Sequence, residues 1–322
     1  MIDLHTHTTA SDGRCTPAEL VARASAAGVT VLAVTDHDTI AGGDAAADAC
    51  DAAGIAFVSG IEITAVRDGV DLHVLGYFID RQAPHLHTFL AEQRRRRLDR
   101  VRQMIERLAA HGIHLDADAI LKPGLDDGGK AAGRPWIARA MVNARYVKST
   151  GEAFEYWLAR GRRAFVPRLA ASPPEVFERI HASGGIASLA HPGLVHRDEW
   201  IPEFAASGLD ALEVYHTNHD ETATEHYRAI AARLGLAISG GSDFHGDPSH
   251  GPANPGSVSL PRDEYERLVV RGQTPYKRRQ VLNSVQESNV VRRRDVVRVP
   301  FRINRRSGYG LAATSKAVRP RT

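Results

Sequence analysis

Short apolar, β-branched runs punctuate the chain, and helical stretches separate most of them. The runs at 2–4, 29–34, 55–63, 72–78, 186–190, 211–215 and 237–239 predict seven strands. The intervening helices are marked by their starts. Thr16-Pro17-Ala18-Glu19 offers a capping hydroxyl, a proline where the missing N–H costs nothing, and a glutamate at the third helical position. Ser172-Pro173-Pro174-Glu175 repeats the device, and Gly28, Gly54, Gly184 and Gly235 stand where helices should stop. Strand, helix, strand in this rhythm predicts parallel βα units, and seven strands favour a barrel over an open sheet.

Between residues 81 and 165 the rhythm lapses. A helical stretch at 86–108 carries the run Arg94-Arg95-Arg96-Arg97, a loop rich in Gly and Asp follows at 124–133, and a second helical stretch occupies 135–160. The segment is too long for a loop in a compact barrel, so it predicts an inserted helical subdomain. The expected organisation is an α/β barrel built from residues 1–80 and 166–272, a helical substrate cap at 81–165 and a tail at 273–322.

Composition narrows the class. With 322 residues, 43% hydrophobic and 25% charged, the chain can bury a sizeable core without disulfides. Two cysteines, Cys15 and Cys50, exclude a disulfide framework and nearly exclude a thiolate metal site. No apolar run reaches the ~18 residues of a membrane helix. Met1 leads directly into Ile2-Asp3-Leu4-His5 with no basic or apolar leader, so the expectation is a cytoplasmic protein with no membrane partner. The net charge of +3 hides an asymmetry: residues 273–322 hold 13 Lys and Arg against two acids, while the body is mildly acidic. Such a tail reads first as a solvated appendage, and second as an arm that contacts nucleic-acid phosphates.

Sixteen histidines are the other outlier, and their placement matters more than their number. His5 and His7 close the first strand as His-x-His, whose period of two aims both imidazoles the same way. Asp12 follows in Ser11-Asp12-Gly13. Asp36-His37-Asp38 closes the second strand and Glu62 the third. His73 lies in the fourth, His191-Pro192 ends the fifth, and Asp243-Phe244-His245 ends the seventh. In a parallel barrel these ends share one rim, where βα loops converge on an active site. Imidazole and carboxylate donors without thiolate suit Mn²⁺, Fe²⁺ or Zn²⁺. Nine such groups (His5, His7, Asp12, His37, Glu62, His73, His191, Asp243 and His245) are too many for one ion, and with one bridging carboxylate three divalent ions are the natural count. Gathered without metal, they would leave unpaired charge costing several kcal/mol.

As a set these residues resemble the PHP (polymerase and histidinol phosphatase) family, whose His-x-His, Thr-Asp-His, strand-end Glu, isolated His, His-Pro and Asp-x-His motifs occur here in order over about residues 1–272. The resemblance implies a distorted seven-stranded βα barrel with a trinuclear metal centre. It assigns His5, His7, Glu62 and Asp243 to one ion and Asp12, His37 and His245 to a second. A third would share Glu62 and add His73 and His191. Gly133-Arg134-Pro135 and Gly161-x-x-Ala164-Phe165-Val166-Pro167 are similar to the insertion of a small-phosphoesterase subgroup. That subgroup removes the 3′-phosphate from 3′,5′-bisphosphonucleotides or trims short RNA from its 5′ end. At position 136, where relatives often carry His, this chain has Trp136.

The chemistry these parts suit is phosphoester hydrolysis by metal-activated hydroxide, with manganese the first choice and iron or zinc the alternatives. Asp36 is expected to support a ligand histidine or the attacking water. Arg134 and Arg97, of the arginine run, are candidates for a second substrate phosphate, because a guanidinium fork matches phosphate geometry. His216 and His219 follow the sixth strand, the first as a substrate contact and the second as a proton donor to the leaving group. The leading expectation is a phosphatase acting on 3′,5′-bisphosphonucleotides. The alternatives are a 5′→3′ exonuclease on short RNA or single-stranded DNA, and an inactive nucleic-acid-binding or regulatory member. The complete donor set argues against the last.

Overall fold

All seven expected strands form, and they lie in one sheet in chain order: β1 (Ile2–Asp3), β2 (Val31–Val34), β3 (Ala56–Arg67), β4 (Val70–Tyr77), β5 (Ile186–Leu189), β6 (Ala211–His216) and β7 (Ala237–Gly241). The computed structural model describes residues 1–126, 133–247 and 251–274. The expected tail from residue 275 onward, and the middle of the Gly/Asp loop, lie outside the described residues.

The sheet curls until its two edges meet. Leu4 N–H donates to the Gly240 carbonyl (3.2 Å), Asp243 N–H to His5 (2.8 Å) and His7 N–H to Phe244 (2.9 Å). These bonds make a nearly closed barrel. Gly241 is required at the seam, since a Cβ there would lie 2.3 Å from the His5 nitrogen.

The purely parallel rhythm is corrected at one strand. β1–β2, β2–β3, β5–β6 and β6–β7 pair in parallel, but β4 runs antiparallel to both β3 and β5. The cause is local. Arg67 pairs with Val70 across Asp68 and Gly69, whose φ angles of 51° and 71° suit a tight hairpin turn with the strands' own twist. Because β4 is reversed, His73 reaches the rim from the N-terminal half of its strand.

Helices α1 (Pro17–Ala26) and α2 (Gly43–Ala53) pack on β2 and the start of β3 through Leu20, Val21, Ala46 and Cys50. Thr16 and Glu19 form the expected reciprocal cap, and Gly54 takes the left-handed stop at the end of α2. After β4 come α3 (Pro84–Ala109), α4 (Ala117–Asp126), α5 (Arg134–Asn143) and α6 (Thr150–Ala153), the last running into a π-helical turn at Phe154–Leu158. The second helical stretch is therefore broken, with Arg145 left-handed (φ 62°) and Ser149 capping α6 through Glu152 N–H. These helices bury a core of their own, including Leu108, Leu121, Ile137, Met141 and Leu158.

The chain returns to the barrel with α7 (Pro173–Ala182), α8 (Pro192–Val195), α9 (Ile201–Ala206), α10 (Glu221–Leu234) and α11 (Arg262–Gln273). Ser172 precedes α7 but its hydroxyl caps nothing, since Pro174 removes one of the two N–H groups it would serve. The main core lies between sheet and helices and includes Tyr77, Phe177, Phe204 and Leu212. Among the described residues no helix is long and apolar enough to cross a membrane.

Candidate metal centre

The barrel brings its polar residues to one place; Glu62, expected to close the third strand, lies inside it, because β3 runs on to Arg67 to pair with β4. His5 Nε2 lies 3.3 Å from both Glu62 Oε2 and Asp243 Oδ1, and His7 Nε2 lies 3.3 and 3.1 Å from the same two atoms. Asp12 meets His37 Nε2 at 3.6 Å and His245 Nε2 at 3.3 Å. Glu62 Oε1 faces His73 Nδ1 at 2.9 Å and His191 Nε2 at 3.2 Å, while its Oε2 also faces His37 Nδ1 at 2.9 Å. All nine residues singled out in the sequence are thus brought together around Glu62, which is wholly buried.

Local backbone makes this convergence possible. Asp38, His191 and Asp243 all have positive φ (52°, 27° and 55°), a strained arrangement for residues with side chains. Gly13 packs against the His7 backbone, where a Cβ would sit 2.5 Å from the carbonyl carbon, and so turns Asp12 towards the centre.

The electrostatics are those of a preformed cation site. Burial would raise the Glu62 pKa, but His37, His73 and His5 outweigh it and hold the carboxyl well below the usual range. Asp243 is likewise held low against its burial, chiefly by His5. Burial lowers His37, yet Glu62 and Asp12 lift it to about 9; burial, with His245 and His37 opposite, drops His7 to about 4. Buried atoms His5 Nε2, both nitrogens of His7, Glu62 Oε2, His73 Nδ1 and His191 Nδ1 have no hydrogen-bond partner. Orphaned polar atoms on this scale are rare in protein interiors. Their separations match neighbouring ligands on one ion with bonds of about 2.0–2.2 Å. The donor set therefore fits divalent metal.

Around these atoms lies a ring of support. Glu213 is buried and accepts from His5 Nδ1 (2.9 Å) and from His191 N–H (2.7 Å). Glu213 was not anticipated, although a carboxylate inside the apolar run 211–215 is a signal for it. Asp36, expected beside a histidine or water, accepts from Thr8 N–H (2.7 Å), the Thr8 hydroxyl (2.7 Å) and the Ser11 hydroxyl (2.6 Å). It fastens the loop that carries Asp12. His216, expected at substrate, is buried; its Nδ1 accepts from Asn218 N–H, which leaves Nε2 to face Asp243 at 3.4 Å. His219, expected to protonate the leaving group, has both ring nitrogens engaged: Nδ1 with the Val214 carbonyl (2.9 Å) and Nε2 with Gly193 N–H (3.2 Å). It ties α8 to β6 instead.

Beside Asp38, on the flank of His37, arginines gather. Arg97 pairs with Asp38, which also accepts from Thr64 N–H (2.8 Å). Arg168 lies 3.5 Å from Asp71, and Arg100 donates to the Val166 carbonyl (2.8 Å). Burial and the neighbouring Arg168 and Arg134 push Arg100 down to about 10. Of the run, Arg95 and Arg96 pair with Glu92 on their own helix, and Arg94 donates to Gly124. Arg168 was not anticipated, because nothing in its sequence surroundings marks it.

Residues 3–132 match the PHP domain. A 5′-3′ exoribonuclease of Haemophilus influenzae is 37% identical over 253 residues, 76% of this chain and 89% of that protein. The 3′,5′-nucleoside bisphosphate phosphatase of Chromobacterium violaceum is 35% identical over 251 residues, 76% of this chain and 87% of that protein. The chain belongs to the PHP family of metal-dependent phosphoesterases. A solved structure from Bifidobacterium adolescentis described as a metal-dependent phosphoesterase superposes with a TM-score of 0.71 at 33% identity, covering 84% of this chain and 96% of that one. As a PHP phosphoesterase the chain is a hydrolase, and its His/Asp/Glu clusters are able to bind divalent metal.

Proposed function

We propose that the chain removes the 3′-phosphate from 3′,5′-bisphosphonucleotides, anchoring the 5′-phosphate on its arginines. What supports this most is the adjacency of two charge environments. A carboxylate–histidine centre suited to cations abuts a cluster of guanidinium groups in which Arg97 pairs with Asp38 and Arg168 lies near Asp71. A nucleotide with a phosphate at each end spans such a pair.

His5, His7, Glu62 and Asp243 would hold one ion, Asp12, His37 and His245 a second, and Glu62 with His73 and His191 a third. Divalent ions, manganese first with iron or zinc as alternatives, supply a water acidified towards neutrality and neutralise charge on the phosphoryl oxygens. Glu213 holds the Nδ1 proton of His5 so that Nε2 presents a lone pair, and His216 Nε2–H orients Asp243. Asp38 keeps the Arg97 fork extended beside the centre, and Arg134 and Arg168 complete the anchor.

The test compares Mn²⁺-loaded protein on adenosine 3′,5′-bisphosphate and on adenosine 3′-monophosphate. The bisphosphate should be hydrolysed at least ~100-fold more efficiently, and Arg168→Ala should erase most of that preference, as loss of a charged hydrogen bond predicts. Equal turnover of both substrates would contradict the anchor. A 5′→3′ exonuclease, the second reading, uses the same anchor and is favoured by a cavity on the other flank of the centre.

A further inference from the structure

A small hole in the arginine cluster is lined by donors that have nothing to donate to. Gln93, Arg97 and Arg100 stand at i, i+4 and i+7 along α3, so they share one face of that helix. The face meets Asp38 and Thr64 from the barrel and Arg168 from the segment that re-enters it, and together they surround a cavity of about 10 Å³. That is room for one particle the size of a water. A phosphate, with its four oxygens, cannot enter it whole.

The chemistry of the lining decides what that particle is. Gln93 is only 7% exposed, and its side-chain Nε2 is buried without an acceptor. Arg168 Nε, 3.5 Å from Asp71, is likewise buried and donates no hydrogen bond. Orphaned donors of this burial are rare in protein interiors. The carboxylate at hand is already taken: Asp38 accepts from Thr64 N–H (2.8 Å), from the Thr64 hydroxyl (3.1 Å) and from Arg97. Positive charge is also in surplus. Burial, with Arg97 and Arg134 as like charges, lowers the Arg168 pKa in spite of Asp71 and Asp38. A water would bring two hydrogens of its own into this ring of donors, whereas an anion brings none.

We infer that Gln93, Arg100 and Arg168 hold a monatomic anion of the chloride class in the substrate-free protein. A halide is spherical and little larger than water, accepts hydrogen bonds from every side, and compensates a buried guanidinium that would otherwise stand unpaired. The halide site stands on this lining alone. Its consequence for catalysis rests on the arginine anchor proposed above: the halide fills a place that one oxygen of a 5′-phosphate would take, so the two compete. Chloride then raises KM for adenosine 3′,5′-bisphosphate by the factor 1 + [Cl⁻]/Kd and leaves kcat unchanged. Adenosine 3′-monophosphate, which has no group for the anchor, is hydrolysed at a rate independent of chloride.

The intact chain in chloride-free sodium gluconate is titrated with sodium chloride at constant ionic strength, and the line width of the chloride NMR signal is followed. A saturable broadening is expected on top of the linear one that exposed cations cause. Gln93→Leu should weaken it at least ~10-fold, as for one lost hydrogen bond to a charged group. Gln93→Glu, which brings its own carboxylate to the hole, should abolish it. Wild-type crystals soaked in sodium bromide should show an anomalous peak within hydrogen-bond reach of Gln93 Nε2, an arm that decides even where a variant fails to fold. Absence of saturable broadening, its retention in both variants, or water in place of bromide beside Gln93 overturns the inference. Adenosine 5′-monophosphate tests the anchor separately. It should collapse the broadening; broadening that survives saturating nucleotide keeps the halide site and places the 5′-phosphate elsewhere.

Discussion

Each oxygen of Glu62 faces a different set of imidazoles, Oε2 towards His5, His7 and His37, and Oε1 towards His73 and His191. In the proposed assignment a carboxylate so placed would bridge two ions. Glu62→Ala should accordingly lose more than one ion per chain in elemental analysis; loss of one alone would mean the carboxylate serves a single ion. Glu213 works one step out, where loss of a carboxylate behind a ligand histidine typically costs 10–100-fold in metal affinity. Titration of Glu213→Ala with Mn²⁺ should show a weakening of that size, and unchanged affinity would assign Glu213 to packing. The raised pKa of His37, about 9, carries a sign. In the metal-free protein its proton stabilises the fold fully below about 6.5 and is lost as pH rises through 9. At pH 7.5 the ring is charged and must lose that proton to bind metal. Loading metal-free protein in weak buffer should therefore acidify the solution. Absence of proton release would show that His37 is not a ligand.

At the scale of elements, existence was legible, and direction was legible everywhere except at β4. All seven strands and the Gly54 and Gly235 helix stops follow from local pattern, because β-branched runs and left-handed caps are decided within a few residues. The reversal of β4 is also written locally, in Asp68-Gly69, but the surrounding alternation of strands and helices masks it. Gly69→Ala tests the hairpin. With φ 71° there, an alanine is strained, and unfolding stability should fall by about 1–2 kcal/mol in denaturant titration while metal content is retained. No change would imply that the turn adapts freely. The break between α5 and α6 was not legible, since nothing in 135–160 outweighs its helical period except the conformation of Arg145.

Over the whole molecule, the gathering of the nine donors could be read because most of them stand at or just beyond strand ends, which a barrel brings together; Glu62 and His73 join them from within β3 and β4. The arginine cluster could be read only in part. Arg134 and Arg97 lie in distinctive sequence, whereas Arg168 becomes a partner only when the chain re-enters the barrel after the inserted helices. Roles that depend on competition for hydrogen bonds were the least legible: in sequence His219 looks like a proton donor and Asp36 like a support for a ligand histidine or water, yet their polar atoms hold Gly193 and the Thr8–Ser11 loop. The proposed function requires cations gathered at Glu62. Anomalous diffraction from crystals of the intact protein grown with Mn²⁺ tests this directly. Three peaks are predicted, with both Glu62 oxygens within coordination distance of at least one each and His5, His37 and His191 on different ions. A single peak, or peaks remote from Glu62, would contradict the account.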